Sequence, residues 1–234
     1  MNGMRRRRFA IVAAAIALVT LAGCAQHTTP TRPSLPAPPP APNSPVAAVR
    51  LFQWAWDQRN DDRLAEVLPG EFRFVSVSGD SAGNPFRDPA LDFDRDEMWL
   101  ATHHLFKGGG NEPAAFSIAL DLDRTLGALP DDRPGRHPRW HRVVDTSVDL
   151  TVLTVAGEYR VHGGARFYAV RGDSAVIPAD LVARGFTPDS ARWYVDRVED
   201  GTGVSPAAAT GARPARALPT HTTTWGQILA LYLP

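Results

Sequence analysis

The stretch PVAAVRLFQWAWDQRNDDRLAEVLPGEFRFVSV, from Pro45 to Val77, decides how the folded part of this chain begins. Val49, Phe52 and Trp56 recur at the spacing of one helix face, which predicts an amphipathic helix. Apolar and polar residues then alternate from Phe72 to Val77, as in a half-buried strand. The stretch therefore predicts helices first and a sheet after them.

Both helices in this stretch carry start and stop signals. Asn43 or Ser44 can cap the first helix, and Pro45 suits its first turn. Asp61-Asp62 open a shorter second helix, which Pro69-Gly70 ends. The chain is therefore expected to form two separate helices before the first strand.

The rest of the chain adds one helix and several strands. Asp94 can cap a third helix that reaches Phe106 and ends at Gly108-Gly109-Gly110. A loop is expected before it, up to about Asp92, and a long polar loop from Thr125 to Arg139. The predicted strands are Ala115 to Asp123, His141 to Val155, Glu158 to Arg171 and Ala191 to Glu199, with a hairpin at Ala156-Gly157. Asp180 to Gly185 favours a helical turn, and Thr224 to Leu233 is either a strand or a short helix. Helices followed by strands indicate an α+β fold.

This pattern resembles the opening of nuclear transport factor 2-like domains. The resemblance covers about Pro45 to Asp200 and is carried by Trp54 and Trp56 in the first helix, the turn around Leu64 and Leu68, Phe72-x-Phe74, the helix end Phe106-Lys107-Gly108, and Trp193. It implies N-terminal helices packed on a strongly curved antiparallel sheet, a cone with a cavity at its open end. Relatives include ketosteroid-isomerase-like enzymes and proteins that only bind ligands or partners. The segment from about Val204 onward lies outside the resemblance.

The first 23 residues are typical of an export signal. Arg5 to Arg8 precede an apolar run from Phe9 to Leu21 that is too short for a comfortable membrane span. Leu21-Ala22-Gly23-Cys24 resembles the lipobox of bacterial lipoproteins. That resemblance implies cleavage between Gly23 and Cys24 and a lipid on the Cys24 thiol. The alternatives are a free cysteine in an ordinary signal peptide and a signal anchor that is never cut.

The proline content and the net charge limit the kinds of partner that the chain can have. Ala25 to Asn43 holds seven prolines in nineteen residues, which predicts an extended spacer after Cys24, so that residues 24–43 are linker and residues 44–234 one domain. Without Arg5 to Arg8, 21 basic residues face 25 acidic ones, a net charge of −4. We therefore expect no nucleic-acid partner. The expected place is the cell envelope, anchored to a membrane by lipid and facing the periplasm or the exterior.

Residues for catalysis are harder to assign. A ketosteroid-isomerase-like site needs a pocket carboxylate and a hydrogen-bond donor for the oxyanion. The strands offer Tyr159, Tyr168, Tyr194, Asp145 and Asp149, and Tyr194 would share a strand face with Asp196. No specific pair follows from the sequence, so we assign no catalytic residue. Three hypotheses stay open: a non-catalytic domain that binds a small apolar ligand or an envelope protein, an isomerase or dehydratase, and a structural protein whose cavity is filled by side chains.

Cofactor and metal motifs fail on spacing. His103 and His104 point about 100° apart on a helix, so a partly buried, hydrogen-bonded histidine is favoured over a metal ligand, although Glu97 shares a face with His104. Asp92 to Asp96 starts like a calcium loop but lacks its glycine and final glutamate. We expect neither metal nor cofactor. Trp54 and Trp56 lie two apart on one helix, so one is expected in the core and the other at a helix edge, where it would suit a partner.

Overall fold

The computed structural model describes residues 37–79, 85–203 and 219–234. The chain divides into two compact units, Met1–Pro38 and Pro39–Pro234, and the second unit is described below. The export signal, its cleavage point at Gly23 and the lipidation residue Cys24 lie outside the described residues. None of the helices in the described ranges combines the length and apolar character that a membrane crossing requires.

The first three helices each begin at a side-chain cap, and the caps of the first and third, Ser44 and Asp94, were predicted. Helix α1 is Pro45–Asp57, and the Ser44 side chain accepts a hydrogen bond from the Ala47 backbone N–H at 3.1 Å. Helix α2 is Asp61–Val67 and is capped by Asn60. Helix α3 is Arg95–Lys107, and its N-terminus is a capping box between Asp94 and Glu97. These hydrogen bonds satisfy N–H groups that a helix start leaves unpaired.

Within the described ranges, nine strands form one sheet. They are β1 (Arg73–Gly79), β2 (Pro85–Arg87), β3 (Phe93–Asp94), β4 (Ser117–Leu122), β5 (Leu129–Pro130), β6 (His141–Leu153), β7 (Glu158–Arg171), β8 (Trp193–Gly203) and β9 (Thr220–Thr222). The central order is β2-β1-β8-β7-β6-β4. Pairing is antiparallel except where β1 meets β8 and β9 meets β7. Helices packed on a largely antiparallel sheet confirm the predicted α+β class.

Several segments contain more structure than the sequence indicated. The predicted loop before Asp92 holds β2 and a 3₁₀ turn at Pro89–Leu91. The polar loop from Thr125 to Arg139 contains β5, which pairs with β6. Helix α4 is Ala179–Ala183, where a helical turn was expected. The segment from Thr224 to Leu233, expected as a strand or a short helix, contains a helix. This helix, α5, is Trp225–Leu231 and begins with a capping box between Thr224 and Gln227.

The two long strands β6 and β7 form a hairpin whose faces differ in chemistry. In β6 the even-numbered positions from Val144 to Val152 are buried, whereas the odd-numbered positions Asp145, Ser147 and Asp149 are exposed. The buried positions pack against the helices, and we call this the inner face of the sheet. The register of β7 and β8 shifts between Tyr168 and Ala169, a bulge that bends the strand.

Candidate functional site

The space between the helices and the inner face, where the cone cavity was expected, is occupied by helix α5. Trp225 is fully buried, and its ring centroid lies 5.2 Å from that of Trp56 and 5.8 Å from that of Phe74. Phe52 of α1 contacts the same indole at 5.9 Å. Ile228, Leu229 and Tyr232 follow it into the core, each 1% exposed or less. The C-terminal segment, which the resemblance did not cover, therefore fills the interior.

Asp200 on β8 fixes the start of this helix. Its Oδ2 accepts a hydrogen bond from the Gly226 backbone N–H at 3.0 Å, and its Oδ1 accepts from the backbone N–H and the hydroxyl of Thr202. The Thr202 hydroxyl in turn accepts from the Trp225 N–H at 3.0 Å. Asp200 thus binds the C-terminal helix to the last long strand. It was not among the predicted site residues.

The environment of Asp200 favours its neutral form. The residue is fully buried, and burial raises the pKa of its carboxyl above the ordinary value, because a low-dielectric interior penalises the charge. The hydrogen bonds from Thr202 and Gly226 oppose this shift without cancelling it. Within the described ranges no cation forms an ion pair with Asp200. Asp200 is therefore a buried carboxyl that binds its proton more tightly than an exposed aspartate does.

Other polar atoms beside the helix have no hydrogen-bond partner. Within the described residues these include Nε1 of Trp56, Nε1 of Trp225 and the hydroxyl of Ser76, all in fully buried side chains. A Cβ at Gly226 would lie 3.3 Å from the Cβ of Leu91 and 3.5 Å from that of Ser76, so the start of α5 packs directly against the 3₁₀ turn and β1. An unsatisfied buried donor costs about 1–3 kcal/mol. The interior is therefore mainly apolar, with a few hydrogen-bonding groups beside one buried carboxylate.

The predicted strand residues do not converge on this interior. Asp145 lies on the outer face of the sheet, where Arg166 binds it at 2.6 Å. The Tyr168 hydroxyl donates to Glu199 at 3.0 Å. Asp149 is exposed, and Tyr159 stacks on His221 near the end of the β6–β7 hairpin. No two of these predicted residues form the carboxylate–tyrosine pair of an isomerase site.

Tyr194 and Asp196 are separated in their contacts by the bulge. Val195 pairs with Ala169 and Arg197 with Tyr168, which leaves Asp196 without a register partner and interrupts the alternation of side chains. Tyr194 is fully buried beside Arg192, and burial raises the pKa of its hydroxyl. Asp196 instead forms ion pairs with two arginines of the long polar loop, Arg133 and Arg136. The two side chains therefore have different partners and do not contact each other as a carboxylate–tyrosine pair.

The long polar loop is fastened to the outer face by an arginine cluster. The Arg133 guanidinium lies 3.7 Å from the ring centroid of Tyr168 and binds Asp131 at 2.7 Å. Burial alone would raise the pKa of Asp131, but the hydrogen bonds and charge of Arg133 hold it below the ordinary value. These groups are already paired with one another. The cluster therefore has a structural explanation.

The surface of the described residues includes two grooves that the core does not fill. One, of about 510 Å³, lies on the outer face where Gly164 and Gly201 are register partners and lack side chains; Arg166 and Glu199 border it. The other, of about 540 Å³, follows α1 and is lined in part by Trp54. Trp56 is fully buried and Trp54 partly exposed, which confirms that the two tryptophans divide between core and helix edge.

The adjacent histidines have separate hydrogen-bonding partners. His103 Nδ1 lies 2.6 Å from Asp61 Oδ2, and His104 Nδ1 lies 2.8 Å from the backbone oxygen of Tyr232. Glu97 is engaged in the capping box of α3. Among the described residues, no cluster of three or more His, Cys, Asp or Glu side chains could hold a metal ion. The histidines join helices to one another.

Comparisons give a fold likeness without an activity. No protein-family model matches the chain, and no curated protein is similar to it. Similar solved structures include a conserved protein from Planctomyces limnophilus, at 10% identity and TM-score 0.42 over 68% of this chain and 92% of that one. A nuclear transport factor 2-like superfamily protein from Salmonella enterica is 11% identical, with TM-score 0.41 over 70% and 92% of the two chains. A cystatin-like domain from Nostoc punctiforme is 10% identical, with TM-score 0.37 over 68% and 75%. At these scores the likenesses assign no function.

Proposed function

We propose that this chain is a lipid-anchored protein of a bacterial cell envelope whose domain is non-catalytic and recognises an envelope protein through its surface. The observation that carries the non-catalytic part of the proposal is the occupied interior. Trp225, Ile228 and Leu229 are fully buried where a small apolar ligand would have to bind. Burying such a side chain stabilises a domain by about 1.5–3 kcal/mol, so a ligand would have to displace a substantial part of the core.

The lipid anchor is supported by the sequence around Cys24. The Leu21-Ala22-Gly23-Cys24 motif follows a basic and then apolar leader, and a proline-rich segment comes after it. Each buried CH₂ of an acyl chain contributes about 0.8 kcal/mol, and two or more chains hold a protein stably on a bilayer. The domain would then face the periplasm or the cell exterior.

Cys24→Ser should release the protein from membranes or stall its processing. We expect the wild-type chain, made in a bacterial host, to sediment with membranes in high salt and to dissolve only in detergent. Mass spectrometry should find an acylated Cys24 as the first residue. The Cys24→Ser variant should be soluble or keep residues 1–23. Equal membrane retention of both chains, with an unmodified thiol in the wild type, would contradict the proposal.

The alternative is an enzyme of the isomerase or dehydratase type that uses a carboxylate and a tyrosine in the cone. One observation favours it: Asp200 is a buried carboxylate whose pKa is raised. Such an enzyme would exchange the α-protons of a cyclic ketone with solvent. Nuclear magnetic resonance in D₂O, with Asp200→Asn as the control, tests this directly. Exchange by the wild type that the control loses would favour the enzyme over the proposal.

A further inference from the structure

The chain enters the folded domain beside a group of tryptophans and arginines. The backbone N–H of Trp193 donates to the carbonyl oxygen of Pro42 at 2.8 Å, so the chain just before α1 lies beside the start of β8. Trp193 is the register partner of Arg171 at the end of β7. Arg171 donates its backbone N–H to the carbonyl oxygen of Trp140 at 2.8 Å. We call Arg139, Trp140, Arg171 and Trp193 the Arg–Trp patch.

The side chains of the patch stack on one another. The Arg139 guanidinium lies 4.9 Å from the Trp140 ring centroid, and that of Arg171 lies 5.5 Å from it. Arg171 is also 6.0 Å from the centroid of Trp193. Arg139 is exposed and Trp140 half-buried. The patch therefore presents cations and an indole at one end of the domain.

Arg139 and Arg171 differ from Arg133 and Arg136 in having no carboxylate partner among the described residues. Arg133 and Arg136 are paired with Asp131 and Asp196, as described above. Within the described ranges, by contrast, no carboxylate forms an ion pair with Arg139 or Arg171. Two exposed carboxylates, Asp173 and Asp189, lie in the connection that follows β7. The net positive charge of this end is consequently small, and its attraction for an anionic surface is modest.

We propose that the Arg–Trp patch rests on the headgroup region of an anionic phospholipid bilayer. Arginine binds phosphate through paired N–H groups, and tryptophan favours the boundary between headgroups and acyl chains. The inference rests on the proposed lipid anchor, because Cys24 precedes Pro42 by 18 positions. A segment of that length reaches roughly 55 Å when fully extended as polyproline II. The anchor would hold the patch at a high effective concentration near the bilayer, so weak contacts would suffice.

The test uses the full chain, inserted through its own lipid into vesicles. One set contains phosphatidylcholine alone and the other equal parts of phosphatidylcholine and phosphatidylglycerol, each with a brominated lipid that quenches tryptophan. We expect stronger quenching on the anionic vesicles. Trp140→Phe should remove most of this difference, whereas Trp99→Phe, at an indole that is 37% exposed on α3, should preserve it. Arg139→Gln should weaken the contact about fivefold, and Arg160→Gln, an exposed arginine at the other end of β7, should not.

The outcomes separate this inference from the proposed function. Equal quenching on both vesicles, or quenching that Trp99→Phe removes and Trp140→Phe does not, would overturn the patch and leave the anchor intact. If mass spectrometry shows Cys24 unmodified, the anchor fails. The patch is then tested by sedimentation of the unmodified chain with anionic vesicles. Equal binding by Arg139→Gln and Arg160→Gln would overturn it there as well.

Discussion

Trp225→Ala should lower the free energy of unfolding by about 3–5 kcal/mol, the range measured when a large buried aromatic side chain is removed. Four aromatic rings surround this indole, those of Phe52, Trp56, Phe74 and Phe167. Truncation would leave a cavity between α1 and the sheet that these rings cannot fill without moving. Urea denaturation of the detergent-solubilised wild-type and variant chains measures the loss.

The control for this change is Trp99→Ala, because Trp99 is 37% exposed and should cost less than about 1 kcal/mol. Trp225→Phe provides a milder variant that keeps most of the packing if the alanine variant does not fold. A mostly apolar cavity of this shape should bind indole, so added indole should restore part of the stability of Trp225→Ala and leave the wild type unchanged. A loss below 1 kcal/mol would show that α5 packs loosely, and the interior would then be a candidate ligand site again.

Local signals predicted the N-terminal half well. The spacing of Val49, Phe52 and Trp56 placed the buried face of α1, because a helix repeats every 3.6 residues. Asp94 predicted the start of α3 as its cap, and the structure adds Glu97, three residues on, as the second member of a capping box. The hairpin strands were predicted at His141 to Val155 and Glu158 to Arg171, and the structure has them at His141–Leu153 and Glu158–Arg171. Each of these features depends on neighbours along the chain.

The interior could not be predicted because it depends on contacts between distant segments. Asp200 is followed by Gly201 and an alternating strand end, a pattern that normally indicates an exposed carboxylate. Its burial depends on Trp225 and Gly226, whose N-terminal helix turn covers it. The only available signal was the spacing of Asp200 and Thr202, which places both on the inner face with Val198. The bulge that separates Tyr194 from Asp196 likewise has no mark in the sequence.

Replacement of Asp200 should release the start of α5. Asp200→Asn replaces the hydroxyl of the neutral carboxyl, which carries one hydrogen and can still accept from Thr202 or Gly226, by an NH₂ group that carries two hydrogens and accepts none. One buried N–H or O–H group loses its partner, which should cost about 1–3 kcal/mol at acidic pH. Asp200→Ala removes both oxygens and should cost more. Urea denaturation measures both losses, and Asp149→Asn, at an exposed carboxylate on β6, is the matched control.

The pH dependence distinguishes this role from that of an ionised anchor. The pKa of Asp200 is raised in the folded protein, so the folded protein binds the Asp200 proton more tightly than the unfolded chain does. Its contribution to stability is full below the ordinary value of 3.8 and declines as the pH rises through the raised value. The stability advantage of the wild type over Asp200→Asn should therefore shrink with rising pH. Asp131 acts in the opposite direction, because its lowered pKa adds stability as the pH rises. Asp131 is present in both the wild type and Asp200→Asn, so its effect cancels in the difference between their free energies of unfolding. An advantage that grows with pH would mean that Asp200 holds the helix as a carboxylate with a lowered pKa.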